Sequence, residues 1–514
     1  MKKIIALSSI AFLSTVTFAS TDMQAQIDEL TAKIAKMEKT QKKLKKKVSN
    51  VNKLAAKDNI KWDVDFRTSV DQLTYDTADG KEYKNDALYA NRLHLGMGYA
   101  PSDKILFRGQ LSFNKAFGAS YGQRGTGMGF DTFDWVVNEN LTDDTVKLRE
   151  GYWLYTDSIG DIGVTASVGR RPSTNGFLVN LRDDDKAKSP MGHVINMEFD
   201  GASASLKLDT YVPGMMFKIC LGRGLTNASS WASQATAYAG APTGGSDLPN
   251  YIEDPGNLDT VDMFGFIFKP YDDGQYSVVS TWYRGTNVPG LVATSMNAYY
   301  DGTTGTSMGN EPTAFEMKSA GDMDGMALSL KIDGIGDGIN DFLDETIFFA
   351  SYAMSVSHPD KDITRNITMI DTTGTNPNSS VTSTDVTMLG SADSETGTSY
   401  WVGVQMPNMT GGKFGLEYNH GDKYWKPFTF GEDTMIGSKL AARGSAVEAY
   451  WTQPLVDDVF SMQVRYTKID YDYTGSDGFF GDGGTPYAIG SAEAIAMGAV
   501  ESAEDIRLYF RYRY

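Results

Sequence analysis

The last eleven residues of the chain, EDIRLYFRYRY, alternate between apolar and polar side chains with a period of two. In an extended strand, one face would carry five apolar or aromatic residues from Ile506 to Tyr514, and the other face would carry three arginines. A strand of this length and alternation is typical of a transmembrane β-barrel, which has lipid on one side and water on the other.

The same period of two continues along the chain from residue 60. It predicts about sixteen strands, which pair as successive hairpins and occupy 60–70, 87–100, 104–117, 145–157, 161–171, 201–209, 215–224, 258–270, 275–285, 322–332, 345–357, 399–407, 413–421, 445–454, 459–471 and 504–514.

The connections between these strands alternate strictly between short and long. The long ones follow the odd-numbered strands, at 71–86, 118–144, 172–200, 225–257, 286–321, 358–398, 422–444 and 472–503. Short periplasmic turns and long extracellular loops have this layout in outer-membrane barrels, and an even strand count places both termini in the periplasm. Since lipid offers no hydrogen-bond partners, the sheet must close into a ring. A ring of this size leaves a water-filled channel.

The first residues follow other patterns. Two lysines, an apolar run and small residues at Thr17 and Ala19 predict a signal peptide over 1–19. An unbroken heptad from Met23 to Ala55 predicts a coiled-coil stalk over 20–58. We expect this stalk to be periplasmic and to hold a homotrimer together with contacts of the barrel wall, and we expect its lysines to contact peptidoglycan or acidic lipid. The alternative is a monomeric helix packed against the barrel mouth.

The predicted fold class is therefore all-β: a transmembrane antiparallel β-barrel of about 16 strands (16–18) at 59–514, preceded by a periplasmic α-helical coiled coil. Composition agrees with this prediction. Of 514 residues 41% are hydrophobic, and mean hydropathy is −0.32. The single cysteine allows neither an internal disulfide nor a cysteine metal cluster. Residues 59–514 carry 35 basic and 60 acidic residues, a net charge of −25, which excludes nucleic-acid binding by counterion release.

The alternation also turns cationic residues inward on the first five strands. These residues are Arg67, Arg92, His94, Arg108, Lys147, Arg149 and Arg171. Placed against lipid instead, each arginine or lysine would cost about 2–4 kcal/mol near the bilayer midplane. The sequence therefore predicts a basic wall inside the barrel.

Two resemblances add to this interpretation. The terminal strand resembles the closing strand of Gram-negative outer-membrane proteins, whose assembly machinery recognises a C-terminal aromatic residue, usually Phe where this chain has Tyr514. The strand layout resembles the general porins, in which the third loop folds into the barrel. That resemblance implies a channel neck with Arg67, Arg92, Arg108 and Arg149 facing Asp183, Asp184 and Asp185. Alternatively, the arginines pair with other wall carboxylates, and the aspartates form a solvated loop tip.

Leader, coiled coil and barrel together resemble an uncharacterised Gram-negative outer-membrane family that is known only as a domain of unknown function. That family implies no mechanism.

One turn has partial calcium-loop spacing. Its possible ligands are Asp333, Asp337, Asp341 and Asp344, but Ile335 stands where a third side-chain ligand is needed. Gly-Asp segments are also favourable turns without any metal.

Catalytic motifs are missing: the four histidines show no paired metal spacing, and no GxSxG or Walker sequence occurs. We therefore expect no enzyme activity and no cofactor. The predicted function is passive diffusion of ions and small hydrophilic solutes through an outer-membrane porin, constricted by the third loop. The alternatives are an anion-preferring, substrate-specific channel and a surface adhesin or structural anchor without transport.

Overall fold

The structure is a computed structural model that describes residues 60–119, 141, 145–228, 251–253, 258–300, 307–336, 338–361, 363–371, 379–383, 387–430, 432–476 and 480–514. The predicted signal peptide and coiled coil at 1–58 lie outside the described residues, so both stay predictions. Within the described ranges, no helix is long and apolar enough to span a membrane.

Sixteen long strands follow one another along the chain. They are β1 Lys61–Thr77, β2 Glu82–Tyr99, β3 Ile105–Ala116, β4 Lys147–Ile159, β5 Ile162–Arg171, β6 Phe199–Lys207, β7 Met216–Leu225, β8 Val261–Asp272, β9 Tyr276–Tyr300, β10 Ser307–Asp333, β11 Ile347–Pro359, β12 Thr396–Pro407, β13 Lys413–Gly421, β14 Gly444–Val456, β15 Phe460–Tyr471 and β16 Val500–Arg513.

These strands form a closed ring. Each pairs antiparallel with the next, and β16 returns to β1 with a register from Asp65 opposite Arg513 to Thr77 opposite Val500. Every strand predicted from the alternation overlaps one of the sixteen, so the closed antiparallel barrel is confirmed. We call the end with the short turns, where β1 begins and β16 ends, the short-turn end, and the other the long-loop end.

The two faces of the wall differ as the alternation predicts. On the outer face, large apolar side chains stay exposed, with 53% for Trp62, 45% for Trp153 and 41% for Phe510. On the inner face, Arg67 is 4% exposed and Arg149 is 5% exposed. An apolar exterior around a polar interior is the arrangement that a surrounding bilayer requires.

The hairpin of β9 and β10 is longer than the sequence predicts. Its strands have 25 and 27 residues and include most of the segment expected to be a loop, 286–321. Register shifts follow Gly285 and Ala293, and each shift interrupts the period of two that marks a strand in the sequence. The projecting hairpin pairs in parallel with strands Arg365–Asp371 and Phe480–Gly481.

Among the residues that the structure describes, the other elements are short and lie in the connections. The strands are Gly176–Phe177, Lys188–Met191, Arg365–Asp371, Ser379–Ser383 and Phe480–Gly481. The 3₁₀ turns are Val179–Leu181, Lys439–Ala441 and Asp482–Gly484, and the α-helices are Asp341–Asp344 and Ala492–Ala496.

The largest apolar core sits inside the barrel. It joins inward residues of the wall, such as Ile267 and Tyr283, to residues from four connections. These are Ile195 of the third loop (172–198), Leu389 of the sixth loop (360–395), Phe428 of the seventh loop (422–443) and Phe480 of the eighth loop (472–499). Phe428 stacks on Tyr283 with 5.5 Å between ring centroids and meets Phe480 edge-on at 5.8 Å. Part of the lumen is therefore packed rather than water-filled.

Candidate functional site

Five arginines are grouped on the inner wall where the first and last strands meet. Strand pairing places Arg92 opposite Arg67, and Arg67 opposite Arg511. Farther along the wall, Arg507 of β16 lies opposite Arg465 of β15. We call these five residues the arginine array. Because like charges directly opposite each other destabilise a sheet, the array needs carboxylates nearby.

Asp433 of the seventh loop supplies the central carboxylate. Arg67 binds both of its oxygens, with 2.7 Å from Nη2 to Oδ1. Nη1 of Arg92 lies 3.2 Å from Oδ2, and Nη1 of Arg507 lies 3.2 Å from Oδ1. Burial alone would raise the pKa of Asp433, but the guanidiniums of Arg67 and Arg507 hold that pKa well below its usual range. Asp433 is therefore a carboxylate at neutral pH.

The third loop crosses the lumen from β5 to the opposite wall. Nε2 of Gln405 on β12 donates to the carbonyl of Leu181 at 2.8 Å. Nε2 of Gln463 on β15 donates to the carbonyl of Arg182 at 2.9 Å. These bonds use the loop backbone, so they fix its path across the barrel.

His193 anchors the same loop farther along the chain. Its ring nitrogens lie 2.7 Å from Oγ of Ser351 and 3.0 Å from Oγ of Ser399. Trp401 and Trp425 pack edge-on to the ring, each at 5.7 Å. Burial lowers the pKa of His193 to about 3, so the ring is neutral at pH 7 and its role here is structural.

A buried ionic network links the third and seventh loops through the wall. Arg182 of the third loop lies 3.2 Å from Glu448 of β14 and 3.4 Å from Glu432 of the seventh loop. Lys439 of the seventh loop lies 2.5 Å from Glu448 and 2.7 Å from Glu417. Because Arg182 of the third loop also pairs with Glu432 of the seventh, displacement of either loop breaks an ion pair that holds the other.

The aspartate run of the third loop reaches the short-turn end. Asp185 lies 3.1 Å from Arg511 and 2.6 Å from Arg513. Asp184 pairs with Lys413, and the carbonyl of Asp183 accepts from Arg511 at 2.8 Å. Arg67 and Arg92 bind Asp433 directly, and the acidic run pairs with cations of β16 and β13. Arg92 and the three aspartates also border one cavity.

Arg149 occupies an irregular position in β4. The register against β3 shifts beside it, so Arg149 and Glu150 are both buried as neighbours. Nη1 of Arg149 donates to Gln110 at 2.7 Å, and its Nε lies 3.2 Å from Glu198 at the end of the third loop. Its carboxylate contacts include Glu198 and its chain neighbour Glu150, the latter at 3.8 Å.

The other predicted wall cations are dispersed. Arg171 lies over the ring of Tyr152 at 4.0 Å. Lys147 stands opposite Ser112 in the strand register, and Arg108 is exposed. The predicted basic wall therefore has a compact part, the array, and a looser part along β3 to β5.

The possible calcium turn does not gather its carboxylates within the described residues. Asp333 pairs with Lys331 at 3.0 Å, and Oδ1 of Asp344 accepts from the backbone of Gly338 at 2.9 Å. Asp341 begins a short helix, and Asp337 lies outside the described residues. No group of three metal-ligating side chains occurs in the part of the chain that is described.

Two cavities lie near the short-turn end of the lumen. The first, of about 570 Å³, lies between the array and the third loop, with Arg92, Asp433 and Arg513 among its lining residues. The second, of about 660 Å³, is lined by residues that include Tyr152 and Arg171. Both cavities are bordered by Asp185, Lys186 and Lys188, so the third loop separates them.

The seventh loop, with Asp433 and Lys439, was not singled out from the sequence. One signal in it stands out: 425–430 reads WKPFTF, an aromatic-rich run among loops otherwise rich in small polar residues. Trp425 and Phe428 are both fully buried. An aromatic cluster in a long loop indicates that the loop packs against something, and here the barrel interior covers it.

A closed ring of sixteen antiparallel strands, with an exposed apolar exterior and a charged, loop-filled interior, defines a β-barrel. The sequence family described as "Protein of unknown function (DUF3373)" matches residues 82–514. The chain belongs to this family. No curated protein matches the chain.

Several solved barrels are similar in structure at low sequence identity. OmpF of Salmonella typhi, solved in complex with daunomycin, is 10% identical with a TM-score of 0.42, over 88% of this chain and 97% of that one. OprB of Pseudomonas putida at high pH is 11% identical with a TM-score of 0.43, over 91% and 96%. In-vitro folded OmpT of Vibrio cholerae is 9% identical with a TM-score of 0.41, over 88% and 97%. The barrel assignment itself rests on the strand pairing.

Proposed function

We propose that this protein is an outer-membrane porin that allows passive diffusion of ions and small hydrophilic solutes, with a channel constricted by the third loop. The observation that carries the proposal is the path of the third loop, which hydrogen-bonds to Gln405 and Gln463 across the lumen and borders both cavities. The membrane location is supported by the exposed aromatic exterior and the alternating short and long connections.

Opposed charges in the first cavity would sort solutes. Its lining contains seven basic and six acidic residues, so its net charge is small. Arg511 and Arg513 pair directly with Asp185 at 2.6–3.1 Å, so charges of opposite sign border the cavity side by side and the field changes over a few ångströms. Such a neck would distinguish solutes by dipole and charge placement more than by sign alone.

Packing inside the barrel favours a second candidate function, a surface adhesin or structural anchor without transport. Trp425, Phe428 and Phe480 of two loops pack on apolar residues of the wall, and an apolar core excludes water. In this case the long loops would act as the binding surface and the plugged lumen would hold them in place.

Conductance in a planar bilayer separates the two functions. A porin should give stepwise ion currents, and an anchor should give none. Removing the charge of Arg511 (Arg511→Gln) should shift the reversal potential in a salt gradient towards cation preference. The matched control is Arg223→Gln, which removes an exposed arginine paired with Asp262 and absent from the lining of the first cavity. Currents that respond equally to both variants would contradict the assigned neck.

We also propose that residues 20–58 form a periplasmic coiled-coil stalk of a homotrimer, with lysines that contact peptidoglycan. The support is the heptad from Met23 to Ala55. Deletion of 20–58 should convert triple conductance steps to single steps and abolish retention on isolated peptidoglycan. Triple steps in the deleted protein would assign trimer contacts to the barrel wall instead.

A further inference from the structure

Asp433 presents three oxygens to the arginine array, and all three accept more than one guanidinium contact. Oδ1 and Oδ2 are bound by Arg67, and also by Arg507 and Arg92 respectively. The backbone carbonyl of Asp433 accepts from Arg465 at 2.9 Å and from Arg507 at 3.3 Å. Four guanidiniums thus surround a group of three oxygens, which is the number that one face of a tetrahedral oxyanion presents.

The array has more donors than Asp433 can satisfy. Nε of Arg92, and both Nε and Nη1 of Arg465, are buried without a hydrogen-bond partner among the described residues. Buried donors in proteins are almost always paired. The oxygens of Asp433 leave these donors unsatisfied. A tetrahedral oxyanion has a fourth oxygen, which would accept from donors that Asp433 does not reach.

The array can be reached from solution. Arg92, Arg511 and Asp433 line the cavity of about 570 Å³. The side chain of Asp433 is 15% exposed while that of Arg67 is 4% exposed. A solute in this cavity therefore meets Asp433 together with Arg92 and Arg511, and Arg67 lies behind them.

We propose that the arginine array is a binding site for a soluble tetrahedral oxyanion of the phosphate class, and that Asp433 occupies it as an internal substitute. A role of this site in transport rests on the proposed channel function, because phosphate would then be the class of solute that the neck holds. Binding of the oxyanion expels the Asp433 carboxylate, and this expulsion loosens the segment of the seventh loop around Asp433, while Lys439 and Phe428 hold the rest of the loop in place.

Binding of inorganic phosphate to the refolded protein tests the site directly, by titration calorimetry at constant ionic strength. In Asp433→Asn the competing carboxylate is gone. If Asp433 fills the site in about nine molecules of ten, the apparent Kd for phosphate should fall roughly tenfold. The control is Asp262→Asn, which removes an exposed carboxylate that pairs with Arg223 and is absent from the lining of this cavity, and it should leave the affinity unchanged. Equal affinities in wild type and both variants would overturn the proposal.

Wild-type protein provides a second test that does not need the variant to fold. Hydrogen exchange in the 432–438 segment should accelerate in sodium phosphate relative to sodium chloride of equal ionic strength. Unchanged exchange at phosphate saturation would also overturn the proposal. These outcomes are separate from failure of the channel function, since a protein without conductance can still bind phosphate, and a conducting one can fail to bind it.

Discussion

Truncation of Phe428 to alanine should loosen the seventh loop and open the lumen. The side chain is fully buried inside the barrel, where it stacks on Tyr283 and contacts Phe480. Removal of a buried Phe costs about 3–5 kcal/mol. The substitution keeps two backbone hydrogen bonds: the N–H of Phe428 donates to the carbonyl of Val194 at 2.9 Å, and its carbonyl accepts from the N–H of Asn196 at 2.6 Å. We therefore expect a cost near the lower limit.

That cost can be converted to a population. At about 1.4 kcal/mol per factor of ten, a loss near 3 kcal/mol raises the ratio of undocked to docked loop by roughly 150-fold. Because the bonds to Val194 and Asn196 join the seventh loop to the third, both loops should respond together. Phe428→Ala should therefore increase deuterium uptake in 172–198 and 422–443, and increase the mean single-channel conductance.

The control variant for this experiment is Phe264→Ala. Phe264 is 43% exposed on the outer face of β8 and packs against Trp282, so its loss removes the same ring without touching the lumen. Both loops should then exchange as in wild type. If Phe428→Ala showed wild-type exchange and conductance, the apolar core would not hold the loops in place, and the reasoning would be refuted.

Three further predictions concern charges. Arg182→Met should lower the free energy of unfolding by about 3–5 kcal/mol, because it leaves buried Glu448 with one partner fewer. Thermal unfolding in a double-mutant cycle with Glu448→Gln measures the coupling between the two residues. Additive losses in the two single variants would contradict this prediction. The folded pKa of Asp433 is depressed, so the stability it contributes is complete above the unfolded pKa, about 4, and is lost as the pH falls through the folded value. The difference in unfolding free energy between wild type and Asp433→Asn should therefore vanish only in strong acid. Asp185→Asn should shift the reversal potential towards anions, opposite to the shift of Arg511→Gln, because it removes the partner of that arginine.

The barrel was predictable because lipid imposes a rule on alternate residues. Trp62 and Phe66 point out while Arg67 points in, and this contrast recurs through β16. The prediction fails where bulges interrupt this rule. Beyond Gly285, register shifts break the alternation, so the sequence does not predict the rest of β9. The inward direction of Arg67, Arg92 and Arg149 follows from the same rule.

The partners of those arginines were not predictable in the same way. Asp433 is 341 residues from Arg92 in sequence. The period of two describes the strands, and it does not predict which part of the wall a loop contacts. The resemblance to porins implies a role for the aspartate run of the third loop. It implies none for the seventh loop. Only its aromatic run at 425–430 distinguishes it from solvated loops.

The position of the array has a consequence for assembly. Asp433 is held by Arg67 and Arg92 from the N-terminal strands and by Arg507 from the C-terminal strand, so its site spans the seam between β1 and β16. Before the seam forms, half of this site is missing, although Lys439 and Phe428 of the same loop have partners on strands away from the seam. The arginine site of Asp433 is complete only after the ring has closed, and burial of Asp433 therefore reports that the last strand has paired with the first.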